Sequence, residues 1–177
     1  KKITIMNGEF SYKDRSKKIY IPNFELNKGD KISVMGESGQ GKTTILNILS
    51  GTYSLKNGTI YFDNKTKKNT RPDVVYISQD VELFDMSLYD NIVMGKRVSQ
   101  DALQKIIDGC QLNELVARMD GNLHSDMEEK GVKVSAGEKQ RINLARGLLL
   151  NRDILVLDEI TANLDPLTTQ KIWEFIF

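Results

Sequence analysis

One octapeptide constrains this 177-residue sequence more than any other stretch of it: Gly36-Glu37-Ser38-Gly39-Gln40-Gly41-Lys42-Thr43. It matches the pattern G-x-x-x-x-G-K-[ST], whose glycines let successive backbone N–H groups close around phosphate oxygens. The alternation of Ile32 and Val34 predicts a strand, Ile32–Met35, ahead of the loop. Thr44, Ile45, Leu46, Ile48 and Leu49 predict a short helix behind it that stops at Gly51. Strand, loop and helix in that order give the pattern its meaning, because the helix N-terminus adds partial positive charge to the loop amides. Gly36, Ser38, Gly39, Gln40, Gly41 and Thr44 are therefore the candidate phosphate-contacting residues. The Lys42 ammonium is expected to reach the β- and γ-phosphates, and the Thr43 hydroxyl to hold Mg²⁺.

The rest of the chain reads as a mixture of strands and helices. Ile3 and Ile5, Phe10 and Tyr12, and Ile19 and Ile21 alternate with a period of two, with Asn7-Gly8 and Asn57-Gly58 as turn signals. The basic run Lys65–Arg71 reads as a solvated loop between strands. From Ser87 to Arg118 the period becomes helical, with Leu88 and Ile92 on one face and Leu103, Ile106 and Ile107 on another. A second helical stretch follows Ser135, and Asp165-Pro166 opens a last helix with an N-cap and a proline at its first position. The pattern is α/β, with a mostly helical insert over about 80–135. Lys+Arg (25) and Asp+Glu (24) leave a net charge of +1, which supplies no basic excess for nucleic acid. No apolar run approaches the ~18 residues of a membrane span. The single cysteine, Cys110, has no internal partner and reads as a small packed side chain, and His124 as a loop or surface residue.

Two further segments carry chemistry. Ile154-Leu155-Val156-Leu157 reads as a buried strand that ends in Asp158-Glu159, placing two carboxylates at a sheet edge where α/β ligand sites form. Asp158 is the candidate Mg²⁺ ligand, and Glu159 the candidate base that orients or deprotonates an attacking water. Val134-Ser135-Ala136-Gly137-Glu138 contains an S-x-x-E capping box, so Ser135 and Glu138 close the start of the next helix. A serine hydroxyl at such a helix start is also a second anion site, available to a phosphate carried by another subunit. The loop and the acidic strand end together define a phosphate-loop NTPase.

With this third segment the sequence resembles the nucleotide-binding domain of an ABC transporter, over almost its whole length. Gly36–Thr43 resembles the family's Walker A loop, and Ile154–Glu159 its Walker B strand and catalytic glutamate. Val134–Glu138 resembles the signature segment, and Ala162-Asn163-Leu164-Asp165 the D-loop. The resemblance implies that Gln79 is the Q-loop glutamine, touching Mg²⁺ and sensing a transmembrane partner, and that Tyr12 stacks on adenine. It also implies that Ser135, Gly137, Glu138 and Asp165 line a site shared with a second nucleotide-binding domain, closing head to tail around two MgATP. Leu83–Ile92 and Glu129-Lys130-Gly131 resemble exporter segments.

The expectation is thus one nucleotide-binding domain over 1–177. The β subdomain and RecA-like P-loop core cover 1–80 and 136–177, and a helical subdomain covers 81–135 with the signature at its end. Its implied place is the cytoplasmic face of the cell membrane, bound to a transmembrane domain, with no nucleic acid partner. The departures are Val134, Ala136 and Glu138, where the family has leucine, glycine and glutamine. The methyl of Ala136 is expected to crowd the close approach of backbone to γ-phosphate. The family's switch histidine is expected beyond Phe177, so the sequence reads as a piece of something longer and as a weak catalyst alone. Two soluble branches share the motifs, an ATP-dependent switch of translation or regulation and a DNA-repair ATPase. The first usually carries two such domains, and the second a long coiled coil that residues 80–134 do not contain.

Overall fold

The computed structural model describes residues 2–12, 18–37, 39–63, 65–66, 73–78, 80–127 and 131–177. They fall into two compact units, Lys1–Val74 and Val75–Phe177.

The first unit is built on one long strand. β1 (Lys2–Ser11) pairs antiparallel along one edge with β2 (Lys18–Ile21) and β3 (Phe24–Asn27), and along the other with β4 (Asn57–Phe62). Pro22, which has no N–H to give to a ladder, sits at the break between β2 and β3. β5 (Lys65–Thr66) pairs with the outer edge of β4, so the basic run begins as a strand rather than a loop; Lys67–Arg71 lie outside the described residues.

Asn7-Gly8 does not turn the chain. It forms an irregularity inside β1, where Asn7 has φ 51° and the register against β4 shifts between Met6 and Glu9. The shift changes the phase of the strand, so odd-numbered Ile3 and Ile5 and even-numbered Phe10 are all buried. Gly58 lies opposite with φ 91°, and a Cβ there would come within 2.3 Å of the Asn7 carbonyl oxygen. Only glycine fits, so the Asn57-Gly58 signal marks the partner of the bulge.

Ile32–Met35 is not a strand in this structure. No ladder includes it among the described residues, and Ile32 and Met35 are 56% and 86% exposed. Alternation predicts which side chains would share a face, but not whether a partner strand lies alongside to complete the ladder. Behind the loop, α1 (Lys42–Leu49) buries Thr44, Ile48 and Leu49 and ends at Ser50, with Gly51 in the left-handed region at φ 86°.

In the second unit, β6 (Val74–Ile77) pairs with β7 (Ile154–Leu157). Among the described residues five helices accompany them: α2 (Leu88–Val93), α3 (Gln100–Gly109), α4 (Asn113–Arg118), α5 (Ala136–Leu150) and α6 (Pro166–Ile176). The core contains Ile77, Leu88, Ile92, Ile107, Leu112, Leu115, Met119, Ile142, Leu144 and Ile172, all essentially without exposed surface. Gly147 lets α5 lie directly on β6, since a Cβ there would meet Ile77 Cδ1 at 2.4 Å. Cys110 is fully buried and free; burial pushes its thiol up to about 12, against a smaller opposing pull from Arg141. It is a packed side chain. No described helix is long and apolar enough to cross a membrane.

A polar knot sits inside this core. The Asn91 side chain, 0% exposed, donates to the carbonyls of Phe84 (3.0 Å), Met86 (3.1 Å) and Ser87 (3.1 Å), and accepts from Phe84 N (3.0 Å). Arg146 of α5 donates to Asn91 Oδ1 (2.6 Å) and Glu82 O (2.9 Å), and its guanidinium lies 5.4 Å from the centre of the Phe84 ring. The irregular segment 82–87 is thereby fastened to α5. Because its loss would leave several buried groups without partners, Asn91→Ala is expected to destabilise the fold by about 2–4 kcal/mol. A shift of less than about 1 kcal/mol in urea unfolding would show that water replaces the knot.

Candidate functional site

The glycine-rich loop belongs to the first unit. Gly39 (φ 78°) and Gly41 (φ 96°) are both left-handed, and a Cβ on Gly41 would press on Ile19 Cδ1 at 3.1 Å. Gln40 braces the loop from inside: its Oε1 accepts from Glu37 N (3.2 Å) and its Nε2 donates to Glu37 Oε2 (3.3 Å). Lys42 folds back over the loop, donating from Nζ to Gly36 O (2.8 Å) and Glu37 O (3.0 Å). Thr43 is exposed at the mouth of the helix, and Ser38 lies outside the described residues.

The start of α1 differs chemically from most of the other helix starts. Ser87, Ser99, Ser135 and Asp165 cap α2, α3, α5 and α6 with their side chains. α1 begins at Gly41, which has no side chain to cap with, and its first turn contains no acidic residue. Its first N–H groups and the nearby Lys42 ammonium fit a phosphate group, the ligand such a helix start attracts.

Tyr12 approaches the same helix. Its Oη lies 2.6 Å from Thr44 Oγ1, and its ring packs edge-on against Phe10 (4.9 Å, 87°) and Tyr53 (6.0 Å, 85°). Phe10 and Tyr53 stack on one another. Tyr12 as a whole is 36% exposed. The link to Thr44 was not legible in the sequence, since no spacing rule joins residues so far apart.

The acidic residues and the signature belong to the second unit. Asp158 Oδ2 accepts a 2.5 Å hydrogen bond from Tyr76 Oη, and Asp158 N donates to Ile77 O (2.9 Å). Sequence reading missed Tyr76 as a partner of the candidate Asp158; its one signal is a polar-tipped aromatic inside the apolar run Val74–Ile77. Glu159 is exposed and left-handed at φ 52°, an unfavourable conformation for a side chain of this type. Its carbonyl accepts from Ala162 N (3.2 Å) and lies 3.5 Å from Gln140 Nε2. Among the described residues no group of three or more His, Cys, Asp or Glu side chains could hold a metal by itself.

Ser135 and Glu138 form the capping box that the sequence predicts. Ser135 Oγ accepts from Glu138 N (3.2 Å), and Glu138 Oε2 accepts from Ser135 N (2.9 Å) and Ser135 Oγ (3.0 Å). Arg118 of α4 makes a short ion pair with Glu138 Oε1. Burial raises the Glu138 pKa, but the hydrogen bonds from Ser135 and Arg118 outweigh it and hold the carboxyl below the usual range. Gly137 packs against the D-loop segment, because a Cβ there would come within 2.8 Å of Asn163 O. Asp165 caps α6 through Thr168 N (3.0 Å), and hydrogen bonds to Thr168 lower its pKa. The second unit thus brings Gly137 to Asn163, and Gln140 to Glu159. Gln79, Glu129 and Lys130 lie outside the described residues, and His124 is an exposed ring 4.4 Å from Tyr89.

A glycine loop with an uncapped helix and a folded-back lysine, in a chain whose β7, half-buried except for the buried Val156, ends in Asp-Glu, defines a phosphate-loop nucleotide-binding domain. The comparisons with known proteins narrow the class. Residues 21–162 match the model of the family described as ABC transporter, and the chain belongs to that family. It is 33% identical, over 97% of its length, to the multidrug resistance-like ATP-binding protein MdlB of Buchnera aphidicola subsp. Acyrthosiphon pisum. It is 32% identical, over 92% of its length, to the ATP-dependent lipid A-core flippase of Francisella novicida. The structure of a bacterial Atm1-family ABC exporter with ATP bound superposes with a TM-score of 0.86 at 30% identity, covering 99% of this chain and 32% of that one. The chain spans 30% of the length of MdlB and 28% of that of the flippase.

Because the Ser135 hydroxyl closes the N-terminus of α5, Ser135→Ala is expected to cost about 1 kcal/mol of stability, measured by urea unfolding. An unchanged midpoint would mean that Glu138 alone satisfies this helix start.

Proposed function

We propose that this chain is the ATP-hydrolysing motor domain of a membrane ABC exporter. The observation that carries the ATP site is the uncapped start of α1 with Lys42 folded over its loop. The exporter reading rests on relatives at 31–33% identity whose printed names include export ATP-binding/permease proteins and a flippase. The soluble alternatives, a translation or regulatory switch and a DNA-repair ATPase, find no such support among these relatives.

In this reading Tyr12 stacks on adenine while the loop N–H groups, Lys42 and Thr44 hold the phosphates. Mg²⁺, held by Thr43, Gln79 and Asp158, would neutralise charge on the β- and γ-phosphate oxygens. Glu159 accepts a proton from the water whose oxygen attacks the γ-phosphorus as the bond to the β–γ bridging oxygen breaks. ADP and inorganic phosphate result. Ser135, Gly137 and Glu138, with Asp165 of the D-loop, face the ATP of a second nucleotide-binding domain, so that two domains close head to tail around two nucleotides. Residues 81–135 form the helical subdomain whose movement is passed, with Gln79, to a transmembrane domain. The working place is the cytoplasmic face of the membrane, without nucleic acid.

Catalysis of this kind is positioning and electrostatics, so single side chains are expected to separate binding from turnover. Glu159→Gln is expected to keep ATP binding, lower turnover at least a hundredfold and accumulate the ATP-bound dimer. Lys42→Ala is expected to weaken ATP binding itself by roughly tenfold or more. Steady-state ATPase assays and equilibrium nucleotide titration measure both. Normal turnover in Glu159→Gln removes that residue from the chemistry, and unchanged affinity in Lys42→Ala removes the loop from the phosphate site.

Tyr12→Ala is expected to weaken ATP and ADP roughly tenfold, with little effect on inorganic triphosphate. Tyr12→Phe, which retains the ring and loses only the bond to Thr44, should fall between the two. Equal loss for nucleotide and triphosphate would contradict stacking.

A further inference from the structure

Glu138 stands where the family has glutamine, and its surroundings show what the change brings with it. Its two carboxylate oxygens face different donors. Oε2 takes the N–H and the hydroxyl of Ser135, while Oε1 takes the guanidinium of Arg118. Arg118 is further anchored through Nη1 to the carbonyl of Lys133 (3.1 Å), just ahead of the signature. One arginine at the end of α4 therefore grips both the approach to the signature and its fifth residue. Glu138 is only 8% exposed, while the Arg118 side chain keeps nearly half of its surface.

The chemistry explains why the two residues belong together. A carboxylate supplies two acceptor oxygens, whereas an amide supplies one oxygen and one NH₂ donor. With glutamine at 138, an NH₂ would face either the Arg118 donors or the Ser135 N–H, and one contact would become donor against donor. With glutamate at 138 and no arginine, a full negative charge would stand beside Ser135, the hydroxyl expected to receive a phosphate. The local charge is zero only when both residues are present or both are neutral.

We propose that Arg118 is a positioning residue of the signature: by neutralising and holding Glu138 it sets the ATP concentration at which this domain captures the γ-phosphate presented by its partner. The proposal rests on the head-to-tail reading of the preceding subsection. It assigns no contact between Arg118 and nucleotide. A bridge that merely stabilised α4 would affect folding and leave the charge at 138 without influence on capture.

The test uses the complete polypeptide in the Glu159→Gln background, reading the ATP retained after rapid gel filtration as a function of ATP concentration. The local charge is −1 in Arg118→Met, +1 in Glu138→Gln, and zero in the parent and in the double variant. The half-saturating ATP concentration is expected to follow that order. Arg118→Met raises it roughly fivefold, Glu138→Gln lowers it, and the double variant returns to within about twofold of the parent. Arg118→Lys, which keeps the charge, should stay close to the parent. Affinity for trinitrophenyl-ATP in the domain's own loop site, measured below the concentrations that cause closure, is expected to be the same in all of them.

If Arg118→Met and the double variant are impaired alike, or neither differs from the parent, the proposal is overturned and Arg118 is structural. If Arg118→Met does not fold, Glu138→Gln still decides, because a shift to higher ATP or no shift contradicts the charge order. A parent that retains no ATP at any concentration refutes the head-to-tail reading itself, an outcome distinct from a wrong order among the variants.

Discussion

The first turn of every helix exposes N–H groups that need an acceptor, and the way this chain meets that need orders the rest of the structure. Serine or aspartate side chains close α2, α3, α5 and α6. α1 begins instead at a left-handed glycine, and the nearest cation, Lys42, is turned onto the carbonyls of its own loop. The difference is one of residue type: a Cβ at Gly41 would press on Ile19, and a side-chain cap would fill the space where phosphate oxygens belong. Conformational freedom at Gly39 and Gly41 and the open helix start are therefore one feature.

α5 has the complementary role in the second unit. Its C-terminal half serves the fold, with Gly147 against Ile77 and Arg146 drawing the segment 82–87 onto the helix through Asn91. Its N-terminal half serves the site, with Gly137 against Asn163, and Gln140 next to the Glu159 carbonyl. A displacement of α5 would be felt at both ends, because most of these contacts involve backbone atoms. That gives a mechanical reason for the buried polar knot around Asn91. An apolar replacement could match its packing but would leave the Met86 carbonyl without its donor and Phe84 N without its acceptor.

Much of this was legible in the sequence because it is local. The capping box of Ser135 and Glu138, the Asp165-Pro166 helix start and the end of α1 near Gly51 are decided within four or five residues. What was not legible is decided by partners distant in sequence. Asn7-Gly8 has the composition of a turn, yet it bulges, because Gly58 on β4 provides the space that the displaced carbonyl needs. Ile32 and Val34 alternate like a strand, yet alternation does not say whether an edge is free. Tyr76 and Arg118 were missed for the same reason: each acts on a residue outside its own element, Asp158 and Glu138, and no spacing rule connects them. Gln79, read as part of the site by resemblance, lies outside the described residues.

The contrast between open and closed helix starts also bears on energetics. A serine or aspartate cap is worth about 1 kcal/mol over alanine but only a few tenths over the glycine at which α1 begins, so the open start of α1 costs little in the absence of ligand. An anion bound there supplies the missing acceptors, and its binding adds RT ln(1 + [L]/Kd) to the stability of the folded chain. At α5 the order of events is reversed, because Glu138 already occupies the acceptor position and any phosphate must share Ser135 with it. The loop of the first unit is built to gain from an anion, whereas the signature of the second is already satisfied and yields to one only at a cost. Under the function proposed above, such an asymmetry makes the first encounter with nucleotide favourable at the loop and leaves engagement of the signature as the later, tunable step.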